Sequence, residues 1–335
     1  MFEFDVVGGV AVRRIVAESR KEISAIVRQA YLTHHQGDSV NPNSYFLRFP
    51  ERPNSRIIAL PAFLGGDCQV AGLKWIGSFP DNIANNVPRA SAVLLLNDYA
   101  TGYPFACLEA SQISAARTAA SAVLGAKELL GGRRAERIAV IGAGIIARNI
   151  VEFFTADGWT VGTFAVHDRA PEYGAALVRH INATGGQAES VDSLTEAVAG
   201  ADVVVFATTA GEPYVTEPGS FAAGQVVLNV SLRDIGPEII AESYNVLDDV
   251  EHCLTAGTSP HLAVQRYGHQ DFIDGTLAQL IRGEITLGDD KPKIFSPFGL
   301  GVLDLAVGAH IHSQALEQGT AHRVPDFFGE TERWN

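Results

Sequence analysis

The sequence predicts an α/β protein in which a doubly wound parallel sheet is inserted into a split α+β domain. Two observations support this fold class. From residue 133 to about 300, short apolar runs alternate with helical patterns, as in parallel sheets covered on both faces. The flanking regions differ, because turns separate their apolar segments and a helical pattern at 303–317 returns after the inserted region. We therefore expect one domain at 1–118 with 305–335 and a second at 119–304.

The first region should contain helices and strands in mixed order. An amphipathic helix is predicted at 15–32, because apolar residues such as Ile23, Val27 and Ala30 recur at spacings of three and four. The polar, Pro-containing stretch 41–54 is predicted as a loop. An Ala-rich helix is predicted at Ser111–Leu130, ended by Gly131 and Gly132. The apolar segments between that loop and that helix are 57–60, 70–76, 92–96 and 104–108.

The inserted region should be a series of strands and helices. A helix is predicted after residue 144, ending near Ala156, and the pattern Ser193 to Glu196 matches a capping box that opens a short helix. Gly200 should end that short helix. The predicted strands are 138–141, 160–166, 203–207, 226–230 and 245–247.

A glycine-rich turn joins the first strand of this region to the next helix. Gly142, Gly144 and Ala147 form the pattern G-x-G-x-x-A. The first glycine allows a tight turn, the second lets a pyrophosphate approach the backbone, and the alanine lets the helix pack closely on the sheet. The helix N-terminus adds N–H groups that attract phosphate. The pattern predicts a Rossmann-type dinucleotide site, whose other expected contacts are Ala143, Ile145 and Ile146.

An acidic residue ends the next predicted strand. Asp168 lies 26 positions beyond Gly142, where a carboxylate can accept hydrogen bonds from both ribose hydroxyls of an adenosine. Because this carboxylate would repel a 2′-phosphate, we expect NAD as the cofactor. Arg169 leaves NADP open as the alternative, since a guanidinium can pair with that phosphate; a solvated Arg169 would leave the preference for NAD intact.

The composition excludes several classes of partner. The 335 residues include 25 Lys and Arg against 38 Asp and Glu, a formal net charge of −13. An acidic surface repels phosphate backbones and anionic lipid, so neither nucleic acid nor a membrane is expected as a partner. The three cysteines, Cys68, Cys107 and Cys253, form no close pair, which suits a reducing cytoplasm. Neither His34-His35 nor His310-x-His312 is accompanied by a third ligand, and we expect no metal.

Residues outside the glycine-rich turn form an ordered series along the chain. Lys74-Trp75 follows a predicted strand, Arg117 lies in the Ala-rich helix, and Gly299-Leu-Gly301 precedes Asp304. With the G-x-G-x-x-A turn, this series resembles the ornithine cyclodeaminase/mu-crystallin family over nearly the whole chain. The resemblance implies a split substrate-binding and dimerisation domain around an inserted Rossmann domain, and hence a homodimer. Further candidate cofactor contacts are Thr208, Ser231 and Gly299.

Other stretches resemble one dehydrogenase branch of that family, which acts on an amine with three carboxylates. This resemblance implies an NAD-dependent oxidoreductase acting on a CH–NH group. Two alternatives stay open: another family enzyme, such as a cyclodeaminase, alanine dehydrogenase or cyclic imine reductase, and a non-catalytic protein that binds a dinucleotide and a ligand. The resembling stretches are 56–61, 72–78, 89–92, 96–98, 108–111 and 229–234.

Three cations match the family's substrate-binding positions. Arg117 lies among alanines that predict a close-packed helix face, where a guanidinium can bind a carboxylate through two hydrogen bonds. Lys74 lies among apolar residues, so desolvation could lower its pKa and suit it to proton transfer; an exposed strand charge is the alternative. The third cation is Arg48, which Arg56 could replace. Asn86 either hydrogen-bonds substrate or forms a turn.

The loop at 231–236 departs from the cyclodeaminase pattern. It reads Ser-Leu-Arg-Asp-Ile-Gly, two residues shorter than the family loop that holds the catalytic aspartate, and it contains no lysine. Asp234 is the candidate catalytic aspartate, with capping of the following turn as the alternative. Ring-closing deamination of ornithine is therefore not the expected reaction.

Overall fold

A computed structural model describes residues 2–334. The chain divides into two compact units, of which one comprises Met1–Arg117 with Leu300–Asn335 and the other Thr118–Gly299. These divisions lie one and five residues from the boundaries at 118 and 305 that the sequence predicts.

The strands of the two units, in chain order, are β1 Asp5–Val7, β2 Ser39–Val40, β3 Tyr45–Phe49, β4 Arg52–Leu64, β5 Val70–Ser78, β6 Ala90–Asp98, β7 Pro104–Glu109, β8 Arg134–Ile141, β9 Thr160–His167, β10 Ala188–Ser190, β11 Val203–Phe206, β12 Val226–Asn229, β13 Tyr244–Leu247, β14 Ile273–Thr276, β15 Lys293–Ser296 and β16 His322–Arg323. The helices are α1 Gly9–Glu18, α2 Arg20–His35, α3 Ser111–Leu130, α4 Ile145–Ala156, α5 Pro171–Ala183, α6 Leu194–Val198, α7 Pro237–Glu242, α8 Val250–Cys253, α9 Ser259–Tyr267, α10 Leu277–Arg282 and α11 Gly301–Glu317, with a 3₁₀ helix at Pro80–Asn85. Within residues 2–334, none of the helices has the length and apolarity that a bilayer span requires.

The first unit is built on a mixed sheet in the order β16-β1-β7-β6-β5-β4-β2, with β3 paired to the outer part of β4. Helix α11 packs against β4, β5 and β6, and α1 and α2 pack against α11. Gly308 permits this close approach, because a Cβ atom there would collide with the side chain of Leu94. The sheet face beneath α11 is therefore buried, whereas the same sheet has a second face with exposed apolar side chains.

The second unit contains an eight-stranded sheet in the order β10-β9-β8-β11-β12-β15-β13-β14, and all its strand pairs are parallel. Strands β11 and β12 are buried along their whole length, as their unbroken apolar sequences predict. The chain leaves β8 toward β9 on one side and returns to β11 on the other. Open α/β sheets bind ligands at the carboxyl ends of strands where the order reverses in this way. The expected fold class is confirmed.

Two predicted elements of the first unit were wrong in detail. The helix expected at 15–32 is two helices, because Ser19 leaves the helical conformation and its hydroxyl donates to the carbonyl of Ile15 at 2.6 Å. The loop expected at 41–54 contains β3, which forms an antiparallel hairpin with β4. Aromatic residues such as Tyr45 and Phe46 favour a strand and outweigh the polar residues around them.

Candidate active site

The turn between β8 and α4 has the geometry of a phosphate-binding loop. Gly142 has φ +92°, and a Cβ atom there would lie 2.5 Å from the carbonyl oxygen of Ala207. Gly144 caps α4 without any side-chain hydrogen bond, and the space beside its Cα is open. The N–H groups at the start of α4 are thus uncapped by a side chain, while Ala147 is fully buried. These residues fit a dinucleotide whose pyrophosphate lies on the helix N-terminus.

Asp168 follows β9 and lies beside this turn. Its Oδ2 atom accepts a hydrogen bond from the backbone N–H of Ala143 at 2.7 Å, and its Oδ1 atom accepts one from Ala170 at 2.8 Å. The carboxylate is half-buried, and each oxygen keeps a further lone pair for a ribose hydroxyl. Arg169 is exposed. The arrangement fits the predicted role of Asp168 and leaves Arg169 in solvent.

Three hydroxyl groups converge on the carboxylate of Asp234. Thr208 donates from the loop after β11 at 2.5 Å, Ser231 donates from the loop after β12 at 2.5 Å, and Tyr214 donates at 3.0 Å. Asp234 is fully buried. Burial raises the pKa of the Tyr214 hydroxyl, and the negative charge of Asp234 raises it further. The carboxylate therefore fixes two predicted cofactor-binding side chains, and Tyr214 is a member of this network that the sequence did not indicate.

Gly299 ends the second unit in a constrained backbone conformation. Its φ is +98°, which favours glycine, and its N–H donates to Oδ2 of the buried Asp248 at 2.6 Å. Burial raises the pKa of the Asp248 carboxyl group. Asp248 thus holds the backbone of a predicted cofactor-binding residue.

In the first unit, Lys74 and Arg117 share one buried carboxylate, that of Asp304 on α11. The Nζ atom of Lys74 lies 2.6 Å from Oδ2, and Nε of Arg117 lies 3.2 Å from Oδ1. The Ser114 hydroxyl lies 3.3 Å from Nζ of Lys74 and 3.4 Å from Nη2 of Arg117. Lys74 is 2% exposed and Asp304 is 0% exposed, so solvent does not screen their charges. We call these four residues the cation cluster.

The cation cluster has more positive than negative charge. The pKa of Lys74 is lowered to about 8. Burial is the largest cause and lowers it, the Asp304 charge raises it, and the Arg117 charge lowers it. Lys74 is therefore mostly protonated at neutral pH, and two cations face one carboxylate. The residues described provide no acceptor for Nη1 of Arg117, whose side chain is 11% exposed. An anion that reaches this guanidinium edge would balance the charge.

The remaining predicted substrate contacts lie elsewhere in the first unit. Arg48 is exposed, and its guanidinium lies over the ring of Phe46 at 5.1 Å from the centroid. It pairs across the strands with Arg56, on the sheet face that also presents Lys74. Asn86 has φ +56° and is the exposed C-cap of the 3₁₀ helix, which is the turn-forming alternative. The structure brings Lys74 and Arg117 together but does not bring Asn86 into contact with them.

Sequence reasoning did not select Asp304 as a site residue. The signal was a lone acidic residue within the apolar start of α11, where Val302, Leu303 and Leu305 are all buried. A buried carboxylate needs partners, and its partners here lie on β5 and α3. No cluster of three or more His, Cys, Asp or Glu residues suited to a metal ion occurs in the part of the chain that the structure describes.

The sequence matches the model of the ornithine cyclodeaminase/mu-crystallin family over residues 9–319. The chain belongs to this family. It is 31% identical over 303 residues to the N-((2S)-2-amino-2-carboxyethyl)-L-glutamate dehydrogenase of Staphylococcus aureus, with 87% of this chain and 89% of that protein covered. It is 27% identical over 317 residues to the alanine dehydrogenase of Archaeoglobus fulgidus, with 92% and 95% covered.

Solved structures show the same fold. The Delta(1)-pyrroline-2-carboxylate reductase of Thermococcus litoralis, solved with NADH and L-proline, has a TM-score of 0.88 and 24% identity, with 96% of this chain and 100% of that chain covered. An archaeal alanine dehydrogenase dimer with bound NAD has a TM-score of 0.86 and 23% identity, with 97% and 100% covered. The predicted family is confirmed, and the four relatives described above are dehydrogenases and a reductase by name.

Proposed function

We propose that this protein is an NAD-dependent oxidoreductase that cleaves N-(2-amino-2-carboxyethyl)-L-glutamate to L-2,3-diaminopropionate and 2-oxoglutarate. It acts on the CH–NH group of an amino acid. The observation that supports this most directly is the excess positive charge of the cation cluster, because a buried cation without a matching anion is costly and a substrate carboxylate would supply that anion. The pKa of Lys74, which burial lowers to about 8, suits a proton-transfer group and so favours an enzyme over a non-catalytic binding protein.

The turn at 142–147 holds the cofactor in this proposal, with Asp168 on the ribose of the adenosine. When bound, NAD accepts a hydride from the carbon beside an amine nitrogen. The chain contributes the uncapped N–H groups at Ile145 and Ile146 and the open space beside Gly144. Arg169 is exposed, and no carboxylate within residues 2–334 lies at ion-pair distance from it; we interpret it as a solvated surface charge, which favours NAD over NADP.

Lys74 is the proposed proton-transfer group. Oxidation at the glutamate α-carbon gives an imine of the substrate, and one water adds to that imine. This water adduct collapses when its nitrogen is protonated and its hydroxyl group loses a proton. The C–N bond then breaks, the carbonyl group of 2-oxoglutarate forms, and the nitrogen leaves as the amino group of 2,3-diaminopropionate. Lys74 is protonated at neutral pH and has a pKa near enough to neutrality to donate that proton and recover one from water. Arg117 holds the substrate α-carboxylate, and Arg48 is proposed to hold another carboxylate.

Asp234 is proposed to act through its hydroxyl partners rather than by direct proton transfer. Its oxygens accept three hydroxyl hydrogen bonds and have no exposed surface. An Asp234→Asn variant should therefore weaken NADH binding while kcat at saturating NAD changes less. Unchanged NADH binding with a lost kcat would instead favour a catalytic aspartate.

The loop containing Asp234 also argues against ornithine cyclodeamination. Its one cation, Arg233, donates hydrogen bonds to the backbone carbonyls of Gly257, at 3.0 Å, and Ala256. The loop therefore has no free lysine or arginine to offer a substrate. A conversion of ornithine to proline is not expected from this arrangement.

A homodimer is proposed on the second face of the first unit's sheet. This face presents apolar side chains from neighbouring strands, and several are well exposed: Tyr45 69%, Leu47 47%, Trp75 41% and Val93 41%. An apolar patch of this kind marks an interaction surface. The dimeric alanine dehydrogenase with the same fold supports a second copy as the partner.

The product suggests a biosynthetic setting. 2,3-Diaminopropionate is a building block of siderophores and peptide antibiotics, and we propose that the enzyme supplies one of these. All three cysteines are free, which supports a reducing compartment, and the cytoplasm is the proposed location.

The experiment that tests the function is a substrate profile with NAD, followed by the absorbance of NADH. N-(2-amino-2-carboxyethyl)-L-glutamate, which we call the glutamate adduct, should be oxidised with a kcat/KM at least about 100-fold above that for L-alanine, L-proline or L-ornithine. Each of these three amino acids lacks two of the three carboxylates of the glutamate adduct. Faster oxidation of alanine or proline would assign the protein to a different reaction of the same family.

A further inference from the structure

The sheet face that presents Lys74 continues beyond the cation cluster into a second polar row. Side chains of one strand alternate between faces, so Lys74, Ile76 and Ser78 of β5 share a face. The ladder pairs Ser78 with Arg56, and Arg56 with Arg48. At about 3.4 Å per residue, this row lies about 14 Å from Lys74 along the strand. We call Arg48, Arg56 and Ser78 the distal row.

Between the two polar ends, the same face is apolar. Ile76 pairs with Ile58 on one side and with Ala92 on the other, and Ile58 pairs with Phe46. All four side chains are half-buried. The face thus consists of an apolar floor with cations at both ends, a pattern suited to a short carbon chain that has an anion at each end.

Arg89 joins the distal row from the residue that precedes β6. Its Nη1 atom donates to the hydroxyl of Ser78 at 2.6 Å, and Ser78 is 6% exposed. Burial lowers the pKa of the Arg89 guanidinium. The described residues place no carboxylate within ion-pair distance of Arg89, although the protein has 38 acidic residues in all. A desolvated guanidinium that is held in place but lacks an anion is suited to bind one from outside the protein.

We propose that Arg89, held by Ser78, binds the distal carboxylate of the substrate and so selects amino acids that have a second carboxylate. This inference rests on the proposed function and adds a specificity residue to it. A five-carbon diacid, with a hydrogen bond of about 2.9 Å at each end, spans a distance of the same order as the separation between Lys74 and the distal row. Small substrates such as alanine would leave Arg89 unused.

Arg89 suits this role better than Arg48 of the distal row. Arg48 is exposed, so water screens its charge and a carboxylate gains little from it. Arg89 is half-buried and fixed by a short hydrogen bond, and such a cation loses less entropy on binding. Arg48 remains the proposed ligand of the third carboxylate, at the open side of the row.

The test is a binding preference that does not depend on turnover. Calorimetry on the NADH-loaded protein would compare glutarate, a five-carbon diacid, with its half-amide, in which one carboxylate becomes a neutral carboxamide. The wild type should prefer glutarate by at least about 30-fold, and Arg89→Met should reduce that preference to less than threefold. Arg134→Met, at an arginine whose side chain is 75% exposed, is the matched control and should keep the preference. An Arg89→Met variant that still prefers glutarate by 30-fold would overturn the inference.

Turnover separates this inference from the proposed function. The glutamine adduct has a neutral carboxamide in place of the side-chain carboxylate of the glutamate adduct. The wild type should oxidise the glutamate adduct with a kcat/KM about 100-fold above that for the glutamine adduct. Arg89→Met should lower kcat/KM for the glutamate adduct to that for the glutamine adduct and leave the latter unchanged. If Arg89→Met does not fold, Ser78→Ala provides the second variant and should lower the glutarate preference severalfold. A glutarate preference that depends on Arg89, without oxidation of the adduct, would retain the distal site and reject the proposed reaction. Equal losses on both adducts would reject Arg89 as a specificity residue.

Discussion

The Nζ atom of Lys74 lies 2.6 Å from the Oδ2 atom of Asp304, although 230 positions separate the two residues. Both are buried, and the second oxygen of Asp304 accepts a hydrogen bond from Arg117. One carboxylate thereby orders two cations and partly offsets the cost of burying them. The C-terminal helix is thus part of the substrate site that we propose, because it delivers the carboxylate that fixes both cations.

Replacement of Arg117 should impair catalysis more than folding. Arg117→Ala removes the guanidinium that we expect to hold the substrate α-carboxylate, and kcat/KM should fall by about 2–5 kcal/mol of transition-state stabilisation. Steady-state kinetics on the glutamate adduct would measure this. Arg134→Ala, on the surface, should change kcat/KM by less than twofold. A similar kcat/KM for Arg117→Ala and the wild type would remove Arg117 from the site.

The pH dependence of KM should follow Lys74. Burial lowers its pKa to about 8, and the charged form is the one that binds a carboxylate, so KM should rise as the pH increases through about 8. Asp304 raises this pKa, so its removal in Asp304→Asn should move the break to lower pH. The same variant leaves two buried cations without a counter-ion and should lower the free energy of unfolding by about 3–5 kcal/mol. If the break in the pH profile of KM stays at the wild-type pH in Asp304→Asn, Lys74 is not the group that titrates.

Cofactor selection should depend on Asp168. Asp168→Ala loses hydrogen bonds to the ribose but also loses the repulsion of a 2′-phosphate, so NADH affinity should fall about tenfold while NADPH affinity falls less or rises. Fluorescence titration of both nucleotides would measure this. Asp168 also accepts hydrogen bonds from the backbone N–H groups of Ala143 and Ala170, so its removal also affects the turn. Asp168→Asn, which keeps the shape of the side chain but not its charge, is therefore the second variant. Tighter binding of NADPH than NADH by the wild type would contradict the assignment.

The oligomeric state should depend on Trp75. Trp75→Glu places a charge on the exposed apolar sheet face, and burial of that charge in an interface would be costly, so the dimer should dissociate. Sedimentation velocity would show monomers for this variant and dimers for the wild type. Tyr173→Glu, at a 49% exposed aromatic of the second unit, is the matched control and should remain dimeric. Dimeric Trp75→Glu would place the interface elsewhere.

The local features of the site could be predicted from the sequence, and the long-range ones could not. The G-x-G-x-x-A turn and Asp168 lie within 26 positions and follow strand ends, so their arrangement follows from one strand-turn-helix unit. Lys74 and Arg117 were expected as cations, yet the carboxylate between them depends on how α11 packs on the sheet. Tyr214 was missed because it belongs to no sequence motif. Only the structure shows that this partly exposed tyrosine donates its hydroxyl hydrogen bond to the buried Asp234.

The hairpin of β3 and β4 shows the same limit in the fold. Its polar and Pro-containing sequence predicts a loop, but cross-strand pairing with β4 gives each residue a partner that sequence periodicity does not reveal. That error concealed the distal row, because only the register places Arg48, Arg56 and Ser78 side by side. A register of this kind is set by packing and turn geometry rather than by local composition.

The most direct test of the central claim is the product balance of the purified enzyme with NAD and N-(2-amino-2-carboxyethyl)-L-glutamate. Chromatography and NADH absorbance should show 2-oxoglutarate, 2,3-diaminopropionate and NADH in equal amounts, because each cleavage transfers one hydride from the substrate to NAD and consumes one water. The same enzyme with L-ornithine should give no proline above background. Proline from ornithine, with no NADH formed from the glutamate adduct, would contradict the account.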